Sequence, residues 1–370
     1  MRSTHLLISE KALYENAKVI REHIDPAVKM MCVVKADAYG HGSARAARMM
    51  RAAGADAFAV AIVEEAEALR AAGVQEMILI LGGGDEASLR SAVRADVSQA
   101  VYSEKMLDVL EDEAIRLGRS AKAHLKVDTG MTRIGVLGGA ALDEILAHWK
   151  ESCPHVEMEG MFTHFCVTKS DPDFCAAQDA RFCAAIERVR AAGFHPIAHA
   201  AATGAMLTPD YQHDLVRAGI GLYGTLTPEL EGKLQYAQTL SAMPVRDETV
   251  PAGATVGYGR TFRAERDTRV MTVPVGYGDG YPRALSGRAE ALVCGRRVKQ
   301  IGKVCMDMLM LDVTDVPDAD MNSEVVLMGA QGDQRITPDE LAERCDTIPY
   351  EIMLGFSPRV RREYAEYEAE

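Results

Sequence analysis

The chain has 370 residues, too long for one ordinary domain and comfortable for two. It is 48% hydrophobic and 26% charged, a globular balance, and no run of about 18 apolar residues predicts a membrane span. The formal net charge of −13 opposes a nucleic-acid partner, which needs a basic patch, yet leaves room for a small anion held by backbone N–H groups.

The opening residues Met1 to His5 lack the apolar core of a secretory signal, so a cytoplasmic location is expected. Eight cysteines (Cys32, Cys153, Cys166, Cys175, Cys183, Cys294, Cys305 and Cys345) are scattered without a C-x-x-C pair. Most are expected to be reduced core thiols.

Over the first 230 residues one theme recurs: a short apolar run, a polar or glycine-rich turn, then an alanine-rich helical stretch. Leu13, Ala17, Ile20 and Ile24 form the first apolar helical stripe. Candidate strands follow at 30–34, 57–63, 77–81, 98–102, 121–127, 156–163, 196–200 and 215–222. Arg-Ala-Ala-Gly occurs three times, ending at Gly54, Gly73 and Gly193, each placed where the residue after a helix turns left-handed. Eight strand–helix units in series predict an α/β fold, a (β/α)8 barrel over 1–232 rather than a doubly wound sheet.

From about Leu234 the texture changes to Val, Thr, Gly and Pro, as in Met243-Pro-Val-Arg and Arg269-Val-Met-Thr-Val-Pro-Val. Short alternating strands between turn residues predict a mostly antiparallel β domain over 233–370. One helix is expected near 337–345, with Asp339 and Glu340 in its first turn, where acids suit the helix dipole. The segment 3–8 is a candidate extra strand reaching back to this domain.

Active sites of such barrels lie at the C-terminal strand ends. The first strand runs into Lys35-Ala-Asp-Ala-Tyr39-Gly-His-Gly, and a desolvated lysine there has a lowered pKa and can form a Schiff base. The fifth ends in Lys126-Val-Asp128-Thr-Gly-Met-Thr-Arg133-Ile-Gly, which brings Arg133 to the rim. The sixth ends at His164, the seventh at His199 with Thr203 beyond, and the eighth carries Arg217, Gly219 and Ile220. Glycine and hydroxyl residues after the last two strands suit a barrel phosphate site. No P-loop and no metal-ligand spacing is present, so no metal is expected. The second half adds Gly257-Tyr258-Gly259 and Cys305-Met306-Asp307, loops suited to building against another active site.

These motifs, in this order over nearly the whole chain, resemble those of the alanine racemase family. The resemblance implies pyridoxal phosphate carried on Lys35. It implies two bases on opposite faces of the substrate Cα: Lys35 and a partner-supplied Tyr258, with His164 in the tyrosine's hydrogen-bond network. Arg217 would face the pyridine nitrogen, oriented by His199; arginine only donates, so the ring nitrogen stays unprotonated. Tyr39, Thr203 and the backbone of Gly219 and Ile220 would hold the phosphate. Arg133 would sit near the cofactor's phenolic oxygen and the substrate carboxylate, which the partner's Met306 backbone and Asp307 would also receive. Lys126 matches a lysine carbamylated in some members. Family geometry implies a homodimer with shared sites, acting on a small amino acid and supplying D-alanine for peptidoglycan.

The chain departs from the family pattern in three places. Ala202 precedes Thr203 where Asn-Ser is frequent, Arg361 replaces a usual proline, and Pro358 stands where some members are expected to carry an entrance tyrosine. The last departure motivates a second reading, a serine/alanine or broad-specificity racemase. A decarboxylase of similar architecture is disfavoured by the motifs around Lys126 and Tyr258. A non-catalytic pyridoxal-phosphate carrier is the non-enzyme reading, and Tyr258 with Met306-Asp307 argues against it.

Overall fold

The computed structural model describes residues 3–225, 230 and 232–368. In chain order, β1 (His5–Ser9) and α1 (Glu10–His23) come first. Then follow β2 (Lys29–Val33), α2 (Lys35–Gly40), α3 (Ser43–Ala52), β3 (Ala57–Val60), α4 (Val63–Ala71), β4 (Met77–Ile80), α5 (Glu86–Arg94) and β5 (Ser98–Val101). Next are α6 (Glu104–Leu117), β6 (Ala121–Lys126), α7 (Ala140–Ser152), β7 (Val156–Phe162), α8 (Pro172–Ala191), β8 (Ile197–His199) and β9 (Leu215–Ala218).

The strands β2 to β9 form one parallel sheet in the order β8-β7-β6-β5-β4-β3-β2-β9. The edges meet where Arg217 N–H donates to the Ala201 carbonyl at 3.0 Å and Asp214 N–H to the Ala198 carbonyl at 3.1 Å. A strand such as Ala57–Val60 is buried along its whole length because helices cover the outside and side chains fill the inside. The Arg-Ala-Ala-Gly signals end α3, α4 and α8, with Gly54, Gly73 and Gly193 at φ of 94°, 85° and 94°.

Three expectations for this half are corrected. The second strand stops at Val60, because Glu64 and Glu65 start a helix that already includes Val63. The eighth strand stops at Ala218, and Ile220–Tyr223 forms a 3-10 turn. The units after the last two strands carry only short 3-10 turns, Pro209–Tyr211 and Ile220–Tyr223, rather than full helices. The helix α1, which precedes the barrel strands, packs beside α3 and the Ile220–Tyr223 turn and fills that gap. Buried Asn16 fixes it there, donating to the carbonyls of Leu222 at 3.1 Å and Gln235 at 2.7 Å.

The second sheet begins with β1 and continues with β10 (Gln238–Ala242), β11 (Arg246–Val250), β14 (Thr268–Val273), β15 (Glu290–Val293), β16 (Arg296–Ile301), β17 (Leu309–Asp312), β18 (Val325–Gln331), β19 (Gln334–Ile336) and β20 (Arg361–Ala365); β12 (Thr255–Val256) and β13 (Phe262–Arg263) form a separate ribbon. Every pair in it is antiparallel except β1 with β20. The segment at 3–8 thus does reach back, as β1. The expected helix is α9 (Pro338–Cys345), started by Thr337, whose side chain accepts from Glu340 N–H at 3.0 Å. A second helix, α10 (Pro349–Leu354), was not expected. The junction drawn at 232/233 adjoins residues outside the described set. Only Cys32, Cys153 and Cys175 among the cysteines are buried, so the expectation that most are core thiols is corrected.

The turn after β2 is unusual. Ala36, Asp37, Ala38 and Tyr39 have φ of 51° to 54°, so α2 is a single left-handed turn. Each such residue costs roughly 1–2 kcal/mol when it is not glycine.

Candidate active site

At the C-terminal ends of the barrel strands lies a cavity of about 540 Å³. Lys35, Tyr39, Lys126, Arg133, His164, Thr203, Arg217, Gly219 and Ile220 all line it. His199 lies directly behind, fully buried. Tyr258, Met306 and Asp307 do not line it. They share a separate depression of about 560 Å³ on the second domain, where Tyr258 is 72% exposed.

Arg217 organises the barrel interior from β9 and is 3% exposed. Its Nη1 donates to His199 Nδ1 at 2.8 Å and to the His199 carbonyl at 3.2 Å. Its Nη2 donates to the carbonyls of Thr163 at 2.8 Å and Ala200 at 2.7 Å, and to His164 Nδ1 at 3.1 Å. Burial and the charge of Arg133 push its pKa down to about 9, still protonated at neutral pH.

Because the guanidinium only donates, it dictates the protons behind it. His199 must accept at Nδ1 and carry its proton on Nε2. That proton goes to His124 Nδ1, 2.9 Å away, and His124 Nε2–H goes to Glu159 at 3.2 Å. Ser98 also donates to Glu159. The chain of donors ends on the one group that needs them, a carboxylate. Glycine at 160 makes room for it: a Cβ there would meet His124 Nδ1 at 2.2 Å.

Burial and the surrounding cations push His164 down to about 3 and His199 well below its usual value. Both are neutral hydrogen-bonding groups at physiological pH. Lys35 is half-buried, and desolvation with Arg133 lowers its pKa against the opposing charge of Glu65. Lys126, 3% exposed, donates to the Val127 carbonyl at 2.9 Å and lies 5.3 Å from the Phe162 ring centre. Burial, then Arg217 and Arg133, push it down to about 7.

The loop carrying Arg133 is shaped by Asp128, whose Oδ1 accepts from the N–H groups of Gly130, Met131 and Thr132 at 2.9, 3.0 and 3.1 Å. At the other end of the cavity Gly219 N–H donates to Thr203 Oγ1 at 3.0 Å. A Cβ on Gly219 would lie 3.5 Å from Thr203 Oγ1 and 3.7 Å from the Tyr39 hydroxyl, so two hydroxyls and a glycine backbone converge there.

Sequence reasoning missed Tyr350. It lies on α10, lines the cavity and packs 5.7 Å from the Tyr39 ring. Tyr350 stands eight residues before Pro358, which is exposed and does not line the cavity. The other missed groups, His124, Glu159 and Glu65, carry weak sequence signals. His124 is two residues before Lys126 on one strand and shares its face by alternation. Asp307 pairs with Arg359, which donates to its Oδ1 at 2.6 Å.

The family model "Alanine racemase, N-terminal domain" matches residues 8–227, and "Alanine racemase, C-terminal domain" matches 237–364. An alanine racemase of Symbiobacterium thermophilum is 40% identical, over 98% of this chain and 97% of that one. "Alanine racemase 1" of Caldanaerobacter subterraneus is 36% identical, over 98% and 95%. Among solved structures, the alanine racemase of Streptomyces lavendulae superposes with a TM-score of 0.93 at 33% identity, covering 100% of this chain and 98% of that one. That of Bacillus anthracis with bound L-Ala-P gives 0.89 at 33% identity, covering 99% and 96%. By both halves of its sequence and by its whole fold, the chain belongs to the alanine racemase family.

Proposed function

We propose that the chain is an alanine racemase that interconverts L- and D-alanine with pyridoxal phosphate, and that it works as a homodimer. The observation that carries the reading is the cavity itself: Lys35 at its wall, a donor-only Arg217 fixed across it, and a hydroxyl-and-glycine cradle at one end. Among the described residues four basic side chains and no carboxylate line it, which suits a phosphate and carboxylate-type oxygens.

The residues fit the cofactor. The space a Cβ would fill at Gly219, between Thr203 and Tyr39, suits a phosphate held also by the Ile220 backbone. Arg217 suits the ring nitrogen, Arg133 the phenolic oxygen, and Lys35 covalent attachment. Bound there, pyridoxal phosphate supplies the electron sink that acidifies the amino acid's Cα–H.

The chain's own groups then move the proton. Lys35 Nζ, its basicity lowered by burial, takes or returns a proton at Cα on one face. Inversion needs a second base on the other face. Among the described residues the tyrosines lining the cavity are Tyr39 and Tyr350, which pack together, while Tyr258 lies in a separate depression on the second domain. Tyr258 of the partner subunit completes the site in this reading, with Met306 and Asp307 of the partner subunit beside it. Arg133 anchors the substrate carboxylate. Neutral His164 positions without competing as an acid. Lys126, pressed between Arg133 and Arg217, is suited to carbamylation, which would turn a like charge into a paired one.

Residues 1–232 form the cofactor domain in this account and 233–370 the domain that serves the partner. Among the described residues no helix is long and apolar enough to cross a membrane. A cytoplasmic location and a supply of D-alanine for peptidoglycan belong to the same proposal.

The test is direct. The purified protein should show a visible-range absorption band that Lys35→Ala lacks. Tyr258→Phe should lose racemisation while keeping the band, and full activity in that variant refutes the two-base assignment. L-serine turned over as efficiently as L-alanine refutes alanine preference.

A further inference from the structure

Lys35 stands at the head of a backbone segment that ordinary residues avoid. The four residues after it are left-handed, and none is glycine. Bonds tie the turn to its flanks, and the His41 ring Nδ1 lies 2.9 and 3.0 Å from the Ala38 and Tyr39 carbonyls. Ala38 N–H donates to the Val34 carbonyl at 2.8 Å, and Gly42 N–H to the Asp37 carbonyl at 2.9 Å. Asp37 Oδ1 accepts from Ser43 N–H at 2.8 Å at the far end. The near end, beside Lys35, is also held from outside the turn.

The holder is Glu65, in the first turn of α4. Its Oε1 accepts from Ala36 N–H at 2.6 Å and its Oε2 from Ala61 N–H at 2.8 Å. One carboxylate thus ties the residue after Lys35 to the exit of β3 and to a helix N-terminus, where the dipole favours its charge. Bonds from N–H to an ionised carboxylate are about twice as strong as neutral ones. Strain of this kind persists only where the surroundings over-determine it.

We propose that Glu65 is the positioning residue of Lys35: through the Ala36 N–H it fastens the left-handed turn so that the amine is presented to the cavity. The inference rests on the proposed cofactor attachment at Lys35. Glu65 does not line the cavity and acts only through the turn.

The experiment compares two ligands on the full-length protein. Pyridoxal phosphate attaches to Lys35 through its aldehyde, releasing water. Pyridoxamine phosphate carries an amine instead and binds the same pocket without attachment. Glu65→Gln keeps the size but loses the charge and one acceptor. It should raise the Kd for pyridoxal phosphate about tenfold, the worth of one charge-assisted bond, and leave pyridoxamine phosphate within about twofold. Hydrogen exchange at the Ala36 amide should rise with it. Exposed Glu64→Gln is the control and should change neither Kd. If Glu65→Gln does not fold, Glu65→Asp, which keeps the charge but shortens the reach, should show the same selective loss.

Unchanged pyridoxal phosphate binding overturns the proposal. So does equal weakening of both ligands, which would make Glu65 a general support of the barrel. Failure of wild type to bind either ligand overturns the cofactor reading and this inference together, and is told apart by the wild-type titration alone.

Discussion

Replacing Arg217 with lysine keeps the charge and removes the fork. The guanidinium reaches five acceptors: His199 Nδ1, the carbonyls of His199, Thr163 and Ala200, and His164 Nδ1. An ammonium has three protons on one atom, so at least two acceptors lose their donor. Four of the five are buried in the barrel interior, and His164 lines the cavity. An orphaned buried acceptor costs about 1–3 kcal/mol, and one or two are left, so the variant should lose about 1–6 kcal/mol of stability. Unfolding in urea, followed by the fluorescence of the single tryptophan, reads this directly. Trp149 is 1% exposed, and its indole donates to the Val156 carbonyl at 2.7 Å. With the fork gone, His199 Nδ1 is no longer forced to accept. A loss below about 1 kcal/mol, with native fluorescence retained, would refute the claim that the fork, rather than its charge, organises the interior.

Other outcomes follow from the same structure. The fully buried Glu10 carboxylate pairs with Arg45 and Arg48, each at 2.8 Å, and accepts from Tyr367 N–H, joining α1, α3 and the segment after β20. Its pKa is lowered: although burial opposes ionisation, the bonds to Arg45, Tyr367 and Arg48 outweigh it. The stability it contributes is therefore present above the unfolded carboxyl value and lost as pH falls through the folded one; Glu10→Gln should flatten that acid dependence in urea titrations. In carbonate-free buffer Lys126 is neutral above about 7 when folded but protonated to about 10.5 when unfolded. Wild type should then gain on Lys126→Met by about 1 kcal/mol per pH unit between those values, and a pH-independent difference contradicts it. Gly160→Ala drives a Cβ against the His124 ring and should cost about 1–3 kcal/mol by calorimetry, unless the relay from Arg217 to Glu159 is loose.

Local chemistry reads out of the sequence well. The apolar stripe that opens on α1 and the three glycines that end helices depend on residues a few positions apart and appear where expected, as do the barrel's buried runs apart from the early ends of the second and eighth. The motif residues on the barrel do converge, because a parallel barrel brings every C-terminal strand end to one rim. Failures cluster where the partner lies far along the chain. Tyr350 enters the mouth from a helix of the second domain, more than 300 residues from Tyr39. Glu159 matters because it accepts from His124 at the end of the hydrogen-bond chain that Arg217 orients through His199. Glu65 is an ordinary helix-starting acid until the fold sets the Ala36 N–H before it.

The amino-acid sequence by itself determined the barrel, the β domain and that Lys35, Lys126, Arg133, His164 and Arg217 gather at the cavity, since periodicity and turn chemistry are properties of neighbours. Only the tertiary structure decided which protons those groups carry, what holds the left-handed turn after Lys35, and that Tyr258 lies in a separate depression and does not line its own chain's cavity. Burial and hydrogen-bond satisfaction are set by what arrives through space, and no local pattern encodes it.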